Sequence, residues 1–224
     1  MMCSLETSNQ QDLYKLISLF NGNLLLPKRQ AQFKEVVEAF NLYYQRDIPL
    51  LPFKSYQDMR SILLTSAWLS GFIDAEGSFI INYNQDRESR KLSFVIRQKD
   101  SLMTLKTISE CLLSSLNSST TNSLYVYSNL DGCETLDYTQ SISKTNKNIK
   151  RVEKLSILTS YLKNYPLISN KRVAYEVWLN TYILSLNSLQ FTPEGFNTLL
   201  KNYHFLRAFY CSNKYSPRDG VYLI

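Results

Sequence analysis

Asp74 and Glu76 are the residues best placed to do chemistry. They close the stretch AWLSGFIDAEGSFII (residues 67–81), in which an apolar run leads into two carboxylates and then at once into Gly77 and an alternating run. Carboxylates are the hard oxygen ligands that Mg²⁺ accepts, and phosphodiester hydrolysis on two metals needs two of them close together. Two acids at a helix end can equally be solvated charges with no further task. Other catalytic chemistry is poorly provided for. His204 is the sole histidine, and Cys3, Cys111, Cys133 and Cys211 are scattered with no Cys-x-x-Cys pair. A zinc site, or a centre built on Cys/His or Ser/His, is therefore not expected. Scattered cysteines suit a reducing compartment, where they act as small hydrophobes.

Elements must position those acids, and the chain has material for them. Its 224 residues, 44% hydrophobic and 20% charged, suffice for one large domain or two small ones with a real core. A net charge of +6 and a pI near 9.0 favour an anionic partner, nucleic acid ahead of a membrane surface. No apolar run approaches the ~20 residues of a membrane span. The start, MMCSLETSNQQ, has neither the basic and apolar regions of a signal peptide nor the arginines of a transit peptide.

Leu13, Leu16, Ile17 and Phe20 recur at helical spacing, and a second helix is expected with Phe33, Val36, Val37 and Phe40 on one face. Pro49 and Pro52 mark a linker or extended segment. Ser66 is the expected N-cap of a helix running to Ala75. Beyond it, SFIINYN and KLSFVIRQ alternate as a strand pair, an amphipathic helix covers 100–116, NSLYVYS and ETLDYTQSIS form a second strand pair, and NIKRVEKLSILTSYLKNY is again helical. The expected fold is α+β: helix-strand-strand-helix-strand-strand-helix, with one four-stranded antiparallel sheet, helices on a single face, and flanking helices. Two more helices follow, the last announced by Thr192-Pro193-Glu194.

WLSGFIDAEGSF resembles the signature of the LAGLIDADG homing endonucleases and intron maturases. Leu69, Ser70, Gly71, Phe72, Ile73, Asp74, Ala75, Glu76 and Gly77 fill its nine positions, with Ser70 and Phe72 as departures. The order of elements and YPLISNKRVAYEVW at the end of the unit extend the likeness over residues 66–210. The resemblance implies that Ser70, Gly71 and Ala75 let a second helix approach closely, that Glu76 binds Mg²⁺ beside a scissile phosphate if the protein is catalytically active, and that Asp74 is structural. It also implies site positions for Gln98, at the end of the second strand, and for Lys171. The sheet would lie in a major groove. Asn82, Asn84, Arg97, Tyr125, Tyr127, Thr139 and Ser141 are then candidate base readers. Arg87, Arg90, Lys91, Lys144, Lys147, Lys150 and Arg151, read as strand-end and turn residues, are candidate phosphate contacts.

One departure matters most. Residues 1–53 are similar to the closing helices of a first unit whose motif helix and sheet do not precede them; 54–65 read as linker, 66–210 as a whole unit and 211–224 as a tail. Glu76 thus has no partner acid in this chain. A separate half could supply one, or two copies could pair as a homodimer. Alternatively cleavage is lost and the surface binds structured RNA, as a maturase or a component of an organellar ribosome or other ribonucleoprotein. The expectation adopted is the last, with a Mg²⁺-dependent endonuclease acting on duplex DNA as the alternative. The resemblance places the protein in a mitochondrion or another organelle, with no membrane partner.

Overall fold

The computed structural model describes residues 7–84, 89–114, 124–142 and 155–212. Helix α1 (Gln10–Phe20) starts where the Asn9 side chain accepts the Gln11 N–H, and α2 (Pro27–Tyr44) starts on a proline whose missing N–H costs nothing in a first turn. The two helices share a small core of Ile17, Phe33, Val37 and Phe40. The segment after them is extended, as its prolines require. Asn41 pairs with both backbone groups of Ile48, and Asn21 with Pro49 O and Leu51 N–H, which lays the segment along the helix pair.

Residues 54–65, expected as a linker, contain a helix. In α3 (Tyr56–Leu63) the Ser55 hydroxyl accepts the Asp58 N–H while the Asp58 carboxylate accepts the Ser55 N–H. This reciprocal box nucleates a helix too short to form alone. Met59 and Leu63 carry α3 into the main core.

The motif helix α4 (Trp68–Glu76) begins one residue later than a cap at Ser66 implies, but the Ser66 hydroxyl still accepts the Trp68 N–H at 3.3 Å, as expected of a capping serine. The Ser66 hydroxyl donates to Ile62 O, finishing the preceding helix. A second support comes from far along the chain: Tyr161 Oη accepts the Ser70 N–H and donates to Ser66 O, both at 2.8 Å. Burial raises the Tyr161 phenol to about 12, so it stays a protonated donor.

Strands β1 (Gly77–Asn84), β2 (Ser89–Lys99), β3 (Leu124–Ser128) and β4 (Cys133–Ile142) form the expected four-stranded antiparallel sheet, in the order β1-β2-β4-β3. Helices α5 (Leu102–Ser114), α6 (Leu155–Asn164), α7 (Lys171–Leu186) and α8 (Pro193–Ser212) complete the described elements, with a 3₁₀ turn at Leu189–Phe191. Phe79 is at the centre of the core, with ring centroids 5.4 Å from Phe94, 5.2 Å from Tyr175 and 5.5 Å from Trp178. Helix α8 also seals the outer edge of β1, where Phe79 N–H donates to Tyr210 Oη. No described helix is long and apolar enough to cross a membrane.

Strand alternation sorts every strand residue to one side. Phe79, Ile81, Leu92, Phe94, Ile96, Leu136 and Tyr138 join the helix-side core. Asn82, Lys91, Arg97, Asp137, Tyr125 and Tyr127 share the opposite, open face, with Asn82 beside Lys91 and Tyr125 beside Asp137 across the strands.

Candidate active site

The motif helix runs into the first strand with no connecting residue. Glu76 ends α4 and Gly77 begins β1, and the Gly77 N–H donates to Ile73 O. The glycine is not needed for a left-handed turn, since its φ of −79° is ordinary extended backbone. It is needed for space: a Cβ at Gly77 would lie 2.8 Å from both Ile73 Cγ2 and Ile73 O. This close junction leaves Glu76 exposed at the tip of the helix.

The two acids have separate tasks. Asp74 Oδ2 accepts the Ile168 N–H at 2.8 Å and the Ser169 N–H at 3.4 Å, and Oδ1 accepts the Ser169 hydroxyl at 2.6 Å. The same hydroxyl accepts the Lys171 N–H, so Asp74 anchors the first turn of α7 to the motif helix. Glu76 faces Gln98 instead. With the amide oriented to satisfy both groups, Gln98 donates to the two Glu76 oxygens at 3.0 and 3.3 Å. Gln98 reaches it because it shares the helix side of β2 with Ile96 and Phe94.

Lys171, the first residue of α7, is buried, and its ammonium donates to Ile73 O at 3.1 Å, one turn before Glu76. Burial lowers it to about 8, while the charges of Asp74 and Glu76 pull the other way. The three residues Glu76, Gln98 and Lys171 thus converge on one tip. Among the described residues no group of three or more His, Cys, Asp or Glu comes together; of the motif's two acids Glu76 is the exposed one and Asp74 is half-buried.

The expected nucleic-acid contacts divide into three sets. Asn82, Asn84, Lys91, Tyr125 and Tyr127 are exposed on the open face. On the same face Arg97 is half-buried and 3.5 Å from Asp131, and Thr139 bonds to Ser93 and Asp137. Arg87, Lys144, Lys147, Lys150 and Arg151 lie outside the described residues, as does the side chain of Ser141. Arg90 departs from the expectation of a strand-end phosphate contact. It is buried on the helix side, with its guanidinium 4.7 Å from the Phe196 ring centroid and 5.5 Å from that of Phe191, and it donates to Gln190 O. Parity is the reason: Arg90 is two residues from Leu92, so it must face the core, where two rings hold its charge.

The sequence reading missed Asp137 on the open face and Tyr161 behind the motif helix. A polar residue in register with Val95 and Ser78 was a legible signal for the first; no local signal marks the second. The outer side of α4 is lined by Ala67, Gly71 and Ala75, all exposed, and a Cβ on Gly71 would meet nothing within 4 Å. Ser70, expected on that side, is buried, with its hydroxyl donating to Pro166 O.

A short helix with an acid at its tip, set on a four-stranded antiparallel sheet, defines the class as helix-on-sheet units of the homing-nuclease kind. Residues 69–182 match the family model described as LAGLIDADG endonuclease, and the chain belongs to that family. It is 29% identical over 197 residues to the probable intron-encoded endonuclease 4 of Neurospora crassa, covering 86% of this chain and 31% of that protein. It is 30% identical over 99 residues to the intron-encoded DNA endonuclease ai2b of Dictyostelium discoideum, covering 44% of this chain and 34% of that protein. Its matches thus span about a third of the length of these relatives. Among solved structures, the LAGLIDADG homing endonuclease I-GzeII in complex with its DNA target superposes with a TM-score of 0.63 at 14% identity, over 89% of this chain and 78% of that one. The meganuclease I-SmaMI bound to uncleaveable DNA gives a TM-score of 0.56 at 18% identity, over 88% and 72%. At these identities the likeness shows the fold.

Proposed function

We propose that this chain is the nucleic-acid-binding half of a LAGLIDADG DNA endonuclease, able to hydrolyse duplex DNA at a specific site once a second unit completes it, and unable to cut alone. In this reading residues 1–53 close a first unit, 54–65 join the units, 66–210 form the second and 211–224 are a tail. The observation that carries the reading is the convergence of Glu76, Gln98 and Lys171 at the tip of α4. Gln98 fixes the direction of the Glu76 carboxylate. Lys171, mostly protonated at neutral pH, holds a positive charge beside a phosphate's expected position. Glu76 is an exposed hard-oxygen donor of the type Mg²⁺ accepts, so the donor fits the metal, but it is one ligand of a shared set. Bound Mg²⁺ would supply charge stabilisation and an activated water. The Ala67–Gly71–Ala75 side of α4 is open to a second motif helix bearing the second acid. On the open face, Asn82, Asn84, Lys91 and Arg97 would serve base edges and phosphates.

A second reading is favoured by Tyr125 and Tyr127, two exposed rings on the open face. They suit stacking on splayed bases, and with them the chain would act as an RNA-binding maturase or ribonucleoprotein component. An organellar setting belongs to both proposals.

The test is the purified chain with Mg²⁺, a randomised duplex library and a panel of structured RNAs, beside a Glu76→Gln variant. Salt-dependent duplex binding without cleavage, retained by the variant, is expected. Tighter binding to one RNA than to any duplex would establish the second reading. Sequence-specific double-strand cleavage by the chain alone, lost in Glu76→Gln, would show a homodimeric nuclease and overturn the half-site proposal.

A further inference from the structure

The open face of the sheet carries one group that a surface for a polyanion should avoid. Among the described strand residues, Asp137 is the single acid on that side. It lies in the middle of β4, a strand paired on both edges, and its row across the sheet is Ser78, Val95, Asp137 and Tyr125. Aspartate is disfavoured in strands, and a negative charge turned toward phosphates costs affinity. The acids nearest in sequence have structural tasks. Glu134, on the helix side, accepts the Ser101 N–H. Asp131 accepts the Cys133 N–H in the β3–β4 turn and lies 3.5 Å from Arg97. Asp137, in mid-strand, closes no turn and caps no helix.

A chain of hydroxyls orients it. Asp137 Oδ1 accepts the Thr139 hydroxyl at 2.5 Å, and Thr139 Oγ1 lies 2.6 Å from the hydroxyl oxygen of buried Ser93. A hydroxyl has one proton to give, and Thr139 gives its own to the carboxylate. The Ser93 proton must then point to Thr139, so both dipoles are directed at Asp137. The relay engages Oδ1 and holds the half-buried carboxylate in one direction, with Oδ2 outside the relay. The rings of Tyr125 and Tyr127 stand exposed nearby; burial and, after it, the Asp137 charge raise the Tyr127 phenol.

We infer that Asp137 is a specificity-determining residue, which selects cytosine at one position of a duplex by accepting a hydrogen bond from its exocyclic amine. This rests on the duplex-binding reading above and deepens it, because it names a base. A carboxylate accepts and does not donate. In the major groove cytosine presents its amine alone. Adenine sets the acceptor N7 beside its amine, guanine presents two acceptors, and thymine an acceptor and a methyl group. Cytosine is thus the base that meets the carboxylate with a donor and no opposing lone pair. The row also sets the place of that base. Ser78, in the Asp137 row, is two residues past Glu76, whereas Asn82, beside Lys91, is six. The cytosine therefore stands nearer the Glu76 tip than the edges facing Asn82 and Lys91.

The experiment is a metal-free binding selection from a randomised duplex library, with the full chain and with Asp137→Asn, which keeps an acceptor for Thr139 and removes the charge. The parent should fix cytosine at one position. Asp137→Asn should lose that preference, keep the other selected positions, and bind unselected duplex at least as tightly as the parent. In the parent's selected duplex that cytosine is then replaced by N4-methylcytosine, which keeps the base pair and blocks the major-groove proton. Parent binding should weaken at least about fivefold, and binding by Asp137→Asn should not change. The modified base tests the parent itself, so the inference can fail even if the variant does not fold. A cytosine kept by both proteins, a parent indifferent to N4-methylation, or a uniform loss of affinity in Asp137→Asn with every selected position unchanged would overturn it and leave the half-site reading standing. A parent that selects no duplex position, or that prefers a structured RNA, would overturn both.

Discussion

Replacing Lys171 by Met should stabilise the protein at pH 7, and the gain should vanish at alkaline pH. In the unfolded chain this lysine holds its proton up to about 10.5, whereas in the fold burial lowers it to about 8. Between those values the unfolded state binds more protons, so stability rises with pH across that window. Below it both states are protonated and the cost of burying the cation is constant, about 3 kcal/mol. Met keeps the apolar stem and removes the charge. It also removes the hydrogen bond to Ile73 O, a loss of about 1 kcal/mol, but that oxygen keeps the Gly77 N–H and is not orphaned. The net gain at pH 7 is about 2 kcal/mol. At pH 9.5 the parent chain has recovered about 2 kcal/mol, and the two proteins should be nearly equal. The tyrosines Tyr161, Tyr175 and Tyr210, raised to about 12 by burial, favour the fold below pH 10 and lose that contribution from 10 to 12, so the comparison stays below their window. Urea unfolding followed by tryptophan fluorescence, at pH 7 and 9.5, measures the difference. Destabilisation at pH 7, or a difference independent of pH, would refute the reasoning. A cation kept at such a cost marks a position selected for charge rather than packing.

Asp74→Ala should cost about 1–2 kcal/mol and speed amide exchange in the first turn of α7, because three contacts to Ile168 and Ser169 are lost; Asp74→Asn, which keeps an acceptor, should cost about half as much, and equal costs would contradict the anchoring role. Gly77→Ala should destabilise by about 1–3 kcal/mol, since its Cβ must displace Ile73; a change in the unfolding midpoint too small to resolve would mean the junction has slack. Arg90→Met should lower the melting temperature while leaving duplex binding and its salt slope intact, whereas Lys91→Ala should leave stability unchanged and reduce the salt slope by about 1; the reverse pattern in a salt titration would restore Arg90 to the binding surface.

What the sequence revealed was local or periodic. The motif, the strand alternation and the order of elements are patterns within a few residues, and the sheet follows from them. Parity also contained the position of Arg90, had the count from Leu92 been carried one step further toward the turn. The box at Ser55 and Asp58 was likewise present in four consecutive letters. Tyr161 was not legible, because its hydroxyl serves Ser66 and Ser70 from over ninety positions away. That tertiary contact adds to the local serine, whose hydroxyl donates to Ile62 O and accepts the Trp68 N–H.

The absence of any spacer between Glu76 and Gly77 turns the domain into a ruler. The helix tip and the first strand are one uninterrupted length of chain, held at a contact too tight for a methyl group. Asp74 pins the same helix to α7, so neither end can slide. The distance from the carboxylate to Asn82 and Asn84 is therefore a property of strand register, not of a loop. Should this surface read a duplex, the phosphate opposite Glu76 stands a fixed number of base steps from the edges read by β1. Target preference could then drift by substitution on the open face while the place of attack within the target stayed constant.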